Sequence, residues 1–195
     1  MKNKTQKELL QELDRLLRRL SEIVERDFAS LSPQQFNWKP SPKSWSIGEC
    51  LDHLNIISAY YAGPLEQLLK KGRKAKKPKA EYYKAGILGR RFLQSVQLNE
   101  DNQLGLKMKS PKAYQPSQSQ YVPASIIQPY LAYQEQFRDF LADAQALDIN
   151  RYKLGIAILP LIKLRLGDML RFLIYHNERH IVQAQRVQHQ AAFPH

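Results

Sequence analysis

The sequence predicts an all-α protein: a four-helix bundle with an accessory helix and long loops between the second and third main helices. Four long segments repeat apolar residues at three- and four-residue steps, which is the period of an amphipathic helix. Only eight of the 195 residues are glycine, and leucine-rich periodic segments with few glycines favour helix over sheet. A chain of this length suits one domain, so we expect residues 1–195 to form a single unit with an insertion at 72–122.

The first main helix is predicted to begin at a capping box. Thr5 and Glu8 have the spacing at which the hydroxyl caps the first turn and the carboxylate reaches back to the cap. The helix is expected to end near Ser30. Residues 31–45 carry three prolines and are predicted to form an irregular connection whose aromatic residues pack on the bundle end.

The second main helix is predicted to start in the same way. Ser46 and Glu49 form another capping-box pair, and Pro64 falls inside the apolar pattern that follows. Because proline removes a helical hydrogen bond, we expect it to kink this helix or divide it in two. The lysine-rich stretch 70–79 contains a glycine and a proline and is predicted to be a solvated loop.

The remaining elements follow from the same patterns. Residues 81–97 are predicted to form the accessory helix, and the polar stretch 98–122 to form a long loop. Residues 123–147 form the third main helix and residues 167–188 the last one. Between them, 148–166 is expected to be an apolar connection that packs across one end of the bundle.

Charge and composition indicate which classes of partner the protein could bind. The net charge is +12, and the lysine-rich stretch 70–79 could attract nucleic acid or an anionic surface. The sequence nevertheless does not favour nucleic acid as a partner, because no zinc-finger spacing is present and no aromatic residues interleave the lysines. Charged residues interrupt the most apolar region, 156–175, so we expect no membrane association. The single cysteine and the charged N-terminal segment fit a cytoplasmic protein.

Two histidines in the last helix are the strongest functional signal. His176 and His180 lie one turn apart on the stripe of residues predicted to face inward, and His53 lies on the inward shoulder of the second helix. Buried imidazoles require partners, which can be core hydrogen bonds or a metal ion. Three imidazoles would leave one coordination position open. Glu178 lies on the opposite side of the helix, so this is not the H-E-x-x-H zinc-protease motif.

The segments 45–54 and 166–183 resemble the DinB-like (DinB/YfiT-like) superfamily of metalloenzymes, in particular its small bacterial branch. Helix order and length agree along nearly the whole chain. The resemblance implies a four-helix bundle in which His53, His176 and His180 bind a divalent metal ion. Zinc, nickel, iron and cobalt all accept imidazole, so the resemblance and the ligand set leave the metal's identity open.

The resemblance also implies an enzyme of uncertain reaction. The metal would activate a low-molecular-weight thiol, giving thiol S-transferase activity on a small electrophile, or a water molecule, giving a metal-dependent hydrolase. A non-enzymatic binding or stress-associated module with a basic loop is the alternative from another class. We expect Tyr60 and Gln183 to contact the small-molecule substrate, and relatives suggest a homodimer. No catalytic base is evident from the sequence.

Overall fold

The computed structural model describes residues 4–98, 111–117, 121–157 and 159–194. In chain order the elements are α1 (Gln6–Asp27), α2 (Pro33–Asn37), α3 (Ile47–Lys74), α4 (Ile87–Val96), α5 (Ile127–Ala144), β1 (Lys153–Ile156), β2 (Leu159–Arg165) and α6 (Leu166–Gln188). Two short 3-10 turns, Lys112–Tyr114 and Ala124–Ile126, lie between α4 and α5.

The four long helices α1, α3, α5 and α6 form the bundle. Helices α1 and α3 each pack mainly against α5 and α6, so α1 and α3 lie on one diagonal and α5 and α6 on the other. The apolar stripes of all four helices meet in the centre, where leucines such as Leu13, Leu17 and Leu65 are fully buried. The predicted all-α bundle is therefore confirmed. None of the helices in the described part of the chain is long and apolar enough to cross a membrane.

Both predicted capping boxes are present. The Thr5 hydroxyl accepts from the Glu8 backbone at 3.1 Å, and the Glu8 carboxylate accepts from the Thr5 backbone at 2.8 Å. Ser46 and Glu49 make the same pair of bonds at 3.1 and 2.8 Å. Each box satisfies two backbone donors that the first turn leaves without helical partners. The caps therefore fix where α1 and α3 begin, and the second cap sets the register of His53.

The connection at 31–45 contains a short helix that was not predicted. Ser32 caps α2 together with Gln35, and Pro33 occupies the first turn, where a missing N–H costs nothing. The turn buries Phe36 completely against the bundle end. The expected packing of the aromatic residues is thus correct, while the expectation of a wholly irregular connection is wrong.

Pro64 does not divide the second main helix. Helix α3 runs without interruption from Ile47 to Lys74. Pro64 lies on its exposed side, so water can bond the carbonyl that the proline ring leaves without a donor. The helix also includes part of the lysine-rich stretch 70–79, whose cationic side chains are all exposed. The prediction of a loop is correct only for the residues after Lys74.

Residues 148–166 form more than a connection. Strands β1 and β2 pair antiparallel, with Lys153 opposite Arg165 and Leu154 opposite Leu164. Near the turn between the strands, the Ala157 backbone donates to the Tyr61 hydroxyl of α3 at 2.8 Å. Apolar periodicity does not indicate this hairpin, because β1 has only four residues and the apolar residues of the two strands do not alternate strictly.

The accessory helix is shorter than predicted because the residues before it are bonded elsewhere. The backbone of Glu81 accepts from Gln6 at 2.9 Å, and the Tyr83 backbone donates to Lys4 at 3.0 Å. Helix α4 therefore begins only at Ile87 and packs on α6. Of the predicted loop 98–122, residues 99–110 and 118–120 lie outside the described residues.

Asp168 fastens this region to α6. Its carboxylate is buried and accepts from the Tyr83 hydroxyl at 2.5 Å and from the Gly86 backbone at 3.0 Å. Gly89 passes so close that an added Cβ would lie 2.1 Å from the Asp168 Cγ atom. The close approach of α4 to α6 therefore depends on the absence of a side chain at Gly89.

Substitution of two glycines by alanine tests this packing. We expect Gly89→Ala to lower the free energy of unfolding by about 1–3 kcal/mol, because the anchored Asp168 carboxylate cannot move aside. Gly63→Ala is the matched control: nothing lies within 4 Å of its added Cβ, and alanine favours helix by about 1 kcal/mol. The free energy of unfolding measured by urea denaturation should therefore fall for Gly89→Ala and rise for Gly63→Ala. Equal stability of Gly89→Ala and the parent chain would contradict this packing.

Candidate metal centre

Three histidines converge where α3 packs against α6. His53 comes from α3, and His176 and His180 come from successive turns of α6. Their candidate ligand nitrogens all lie within 4.8 Å of one another, and the Nε2 atoms of His53 and His176 are 3.4 Å apart. Two nitrogens bound tetrahedrally at 2.0–2.1 Å from one ion would be about 3.3 Å apart. The three imidazoles are therefore positioned so that they can bind one metal ion.

Hydrogen bonds orient two of the three rings. The Nδ1 atom of His53 contacts the backbone carbonyl of Tyr114, which can only accept, so Nδ1 carries the proton and Nε2 offers its lone pair. The Nδ1 atom of His180 donates to the Gln183 side-chain oxygen at 3.1 Å, which leaves its Nε2 free as well. Such partners are the usual means by which proteins fix the tautomer and direction of a metal-binding histidine.

The third ring supports the fit of a cation to this site. If His53 and His180 both present lone pairs, a hydrogen bond from His176 can satisfy only one of them. The His176 Nδ1 atom is buried and has no hydrogen-bond partner among the described residues. A metal ion at the common centre would accept one lone pair from each ring at once, so the donor set fits a divalent metal.

Burial keeps the three imidazoles in the form that binds metal. His53 is 2% exposed and His180 is 8% exposed. Burial lowers the pKa of His53. For His176, burial, the neighbouring His53 and the Arg179 cation lower the pKa to about 3. Burial, the neighbouring His176 and His53, and the Arg179 cation bring the pKa of His180 well below its ordinary value. All three rings are thus neutral at pH 7, and neutral imidazole is the metal-binding form.

Aromatic rings enclose the cluster. Trp45 stacks on His180 with ring centroids 5.4 Å apart and lies 5.0 Å from His53. Phe172, one turn before His176 on α6, stacks on that ring at 5.8 Å. These contacts restrict imidazole rotation and displace water, so the site has a lower local dielectric than the protein surface. Electrostatic interactions with a bound cation are stronger in such surroundings.

Arg179 lies beside the histidines and connects α6 with α4. Its guanidinium donates to the Ser95 carbonyl at 3.0 Å, and burial lowers its pKa. Its charge contributes to the low pKa of both histidines of α6. Arg179 therefore favours the neutral rings and marks the α4 side of the site as electropositive.

The predicted substrate-binding residues lie in two different settings. Gln183 orients His180, as described above. Tyr60 is 41% exposed and makes edge-to-face contacts with Tyr61 and Tyr114, with ring centroids 5.0 and 5.5 Å away. Because Tyr114 also holds His53, Tyr60 belongs to the same side of the molecule as the site. Substrate contact by either residue stays a prediction.

Other polar residues near the histidines have structural roles. Glu49 completes the helix cap and pairs with Lys39 at 2.9 Å. Glu178 is half-buried, and burial raises its pKa while the Arg19 cation of α1 opposes that rise. The carboxylate therefore faces α1 and not the cluster, as the helical period predicted. Cys50 is fully buried, and burial raises the pKa of its thiol far above the ordinary range. It is a small core residue and not a reactive thiol.

Sequence reasoning missed three contributors to the site. Trp45 directly precedes the Ser46 cap, and the capping pattern does not indicate that its ring contacts two histidines. Phe172 lies four residues before His176, a spacing that could have identified it as a neighbour on the same helix face. Tyr114 contributes a backbone carbonyl from a polar connection, and no side-chain pattern could have predicted that contact.

The low histidine pKa values predict a specific pH dependence of stability. The rings are neutral in the folded protein and titrate near 6.5 when unfolded, so below about pH 6.5 the unfolded state binds more protons. In metal-free protein the free energy of unfolding should fall as the pH is lowered, by at most about 1.4 kcal/mol per pH unit for each ring. For His176 the loss should continue towards pH 3.

Urea denaturation with a chelator between pH 7.5 and 4.5 measures this effect. His176→Gln is the comparison, since glutamine does not titrate. We expect the stability of the parent chain relative to this variant to decline as the pH falls. A relative stability independent of pH would show that the folded protein does not hold His176 neutral.

Comparison with known protein families agrees with the fold. No curated protein and no solved structure matches the chain. The family model of the DinB superfamily matches residues 9–184, a range that includes all four bundle helices except the ends of the first and last, and all three histidines. The match covers most of the sequence, as the resemblance in the histidine-bearing segments predicted. The chain therefore belongs to the DinB superfamily.

Proposed function

We propose that this protein is a divalent-metal-dependent enzyme that transfers the sulfur of a low-molecular-weight thiol to a small electrophile. The observation that carries the proposal is the convergence of three neutral imidazoles from two helices, with two Nε2 atoms 3.4 Å apart. His53, His176 and His180 would hold the ion through their Nε2 atoms. Three protein ligands leave a coordination position for a substrate, which distinguishes a catalytic site from a closed structural one.

The surroundings of the histidines favour a thiol over water as the nucleophile. A divalent ion, when bound, supplies the Lewis acidity that removes a thiol proton outright. Hydrolysis usually requires a general base that accepts a proton from the attacking water. Among the described residues, no carboxylate hydrogen-bonds any of the three histidines. A thiol therefore fits the available groups better than water does.

The chain's own residues would orient the reaction. The Tyr114 carbonyl and the Gln183 side chain hold His53 and His180 in one tautomer. Trp45 and Phe172 shield the rings and exclude water from the reacting sulfur. The thiol sulfur would bond to the electrophilic carbon, its proton would pass to solvent, and the leaving group would depart with its electron pair. Tyr60 is the proposed contact for the electrophile at the rim.

The metal requirement can be tested on protein purified without a histidine tag or a chelating resin. We expect elemental analysis to find close to one zinc, nickel, iron or cobalt ion per chain. His53→Ala and His176→Ala should each lower the metal content at least tenfold, because each variant leaves only two histidine ligands and these hold the ion more weakly than three. His189→Ala is the control, since this exposed histidine of the last turn lies outside the cluster. Equal metal content in all four proteins would contradict the site and favour a non-enzymatic role.

The reaction class can be tested with a panel of low-molecular-weight thiols and small electrophiles, such as activated aryl halides and epoxides. We expect metal-loaded protein to consume thiol and electrophile in equal amounts, and His176→Ala to lose this activity. The same protein should be assayed against ester and amide substrates without thiol. Hydrolysis without thiol consumption would contradict the transferase and identify a metal-dependent hydrolase.

A further inference from the structure

Two adjacent residues of α3 hold one segment of the connection between α4 and α5. The Asp52 carboxylate accepts from the Ser117 backbone at 2.7 Å. The next residue, His53, contacts the Tyr114 carbonyl through Nδ1. Neighbouring residues on a helix point about 100° apart, so both bonds form only if the segment 111–117 lies across the helix in one orientation.

The local conformation of this segment makes the two bonds compatible. The 3-10 turn Lys112–Tyr114 directs the Tyr114 carbonyl away from the turn's own hydrogen bonds and towards His53. Pro116, between the two bonded residues, is buried, whereas Ser117 is exposed. A hydrogen bond to an ionised carboxylate is about twice as strong as one between neutral groups. The bond from Ser117 to Asp52 is therefore a charge-assisted anchor for the segment.

We propose that Asp52 is a positioning residue for the metal site. By holding the Ser117 N–H, it keeps the Tyr114 carbonyl against His53 and so fixes the proton of that ring on Nδ1. Among the described residues, Asp52 hydrogen-bonds none of the three histidines. Its charge opposes the lowering of the His53 pKa, and its hydrogen bond acts through the segment 111–117. The consequence for metal affinity rests on the proposed function, whereas the effect on the His53 tautomer does not.

Asp52 differs from an ordinary surface carboxylate because the loss of its hydrogen bond would change the tautomer of His53. The Nε2–H form is the commoner tautomer of a free histidine side chain, and in that form Nε2 could not bind a metal ion. If the Tyr114 carbonyl moved away, His53 would return towards this form. Metal binding would then have to include the cost of restoring the Nδ1–H tautomer, and removal of such a partner typically weakens metal binding about 10–100-fold.

The tautomer can be measured in the full-length, metal-free protein by long-range ¹H–¹⁵N correlation of the histidine rings at pH 7. We expect His53 to be in the Nδ1–H form in the parent chain and to shift towards the Nε2–H form in Asp52→Ala. Asp52→Asn should retain much of the Nδ1–H form, because its side-chain oxygen still accepts from Ser117. Glu66→Ala is the control, since this exposed carboxylate of α3 pairs only with Lys70 among the described residues.

Two further measurements test the Ser117 anchor and the affinity for a metal ion. Amide hydrogen exchange at Ser117 should be faster in Asp52→Asn than in the parent chain, which tests the anchor even if Asp52→Ala fails to fold. Titration with cobalt should show affinity reduced about 10–100-fold in Asp52→Ala and unchanged in Glu66→Ala. The absorption bands of the cobalt ion report whether its coordination is retained.

The outcomes separate this proposal from the proposed function. An Nε2–H tautomer of His53 in the parent chain, or the same tautomer in parent and Asp52→Ala, would overturn the positioning role. A tautomer shift in Asp52→Ala with no cobalt bound by the parent chain would support the positioning role and contradict the metal enzyme. A tautomer shift together with weakened cobalt binding would support both.

Discussion

Three imidazoles share one largely buried space between two helices, and the rest of the site depends on this constraint. Such groups are costly inside a protein unless each nitrogen has a partner. The Tyr114 carbonyl and the Gln183 side chain satisfy two outer nitrogens, and the three inner nitrogens face one another. Lone pairs directed at a common point repel each other unless a cation or a proton lies between them. A divalent cation at this point would relieve the repulsion, whereas burial disfavours protonation of the rings.

The fold supplies this arrangement through its helix ends and its connections. The capping box at Ser46 fixes the start of α3 and with it the position of His53, two turns later. The spacing of His176 and His180 places both on the side of α6 that faces α3. The connections then complete the site: the segment 111–117 reaches His53, and the turn after β1 bonds to Tyr61. The bundle provides the ligands, and the irregular segments orient and cover them.

Much of this architecture could be predicted from the sequence because it depends on local patterns. Helix period and capping residues identified the bundle, and the inward stripe of the last helix identified His176 and His180. The hairpin at 153–165 and the turn at 112–114 could not be predicted in this way, because tertiary contacts determine them. Asp168 illustrates the difference: its bonds to Tyr83 and Gly86 delay the start of α4, and no pattern within residues 81–97 indicates them.

We expect His53, His176 and His180 to bind one ion together, and X-ray absorption at the zinc edge of zinc-loaded protein measures this coordination. The spectrum should show a first shell at about 2.0–2.1 Å and outer-shell scattering from three imidazole rings. His53→Ala should remove one of these rings and leave the other two. A zinc shell without imidazole scattering, or a spectrum that His53→Ala does not change, would rule out the three-histidine site.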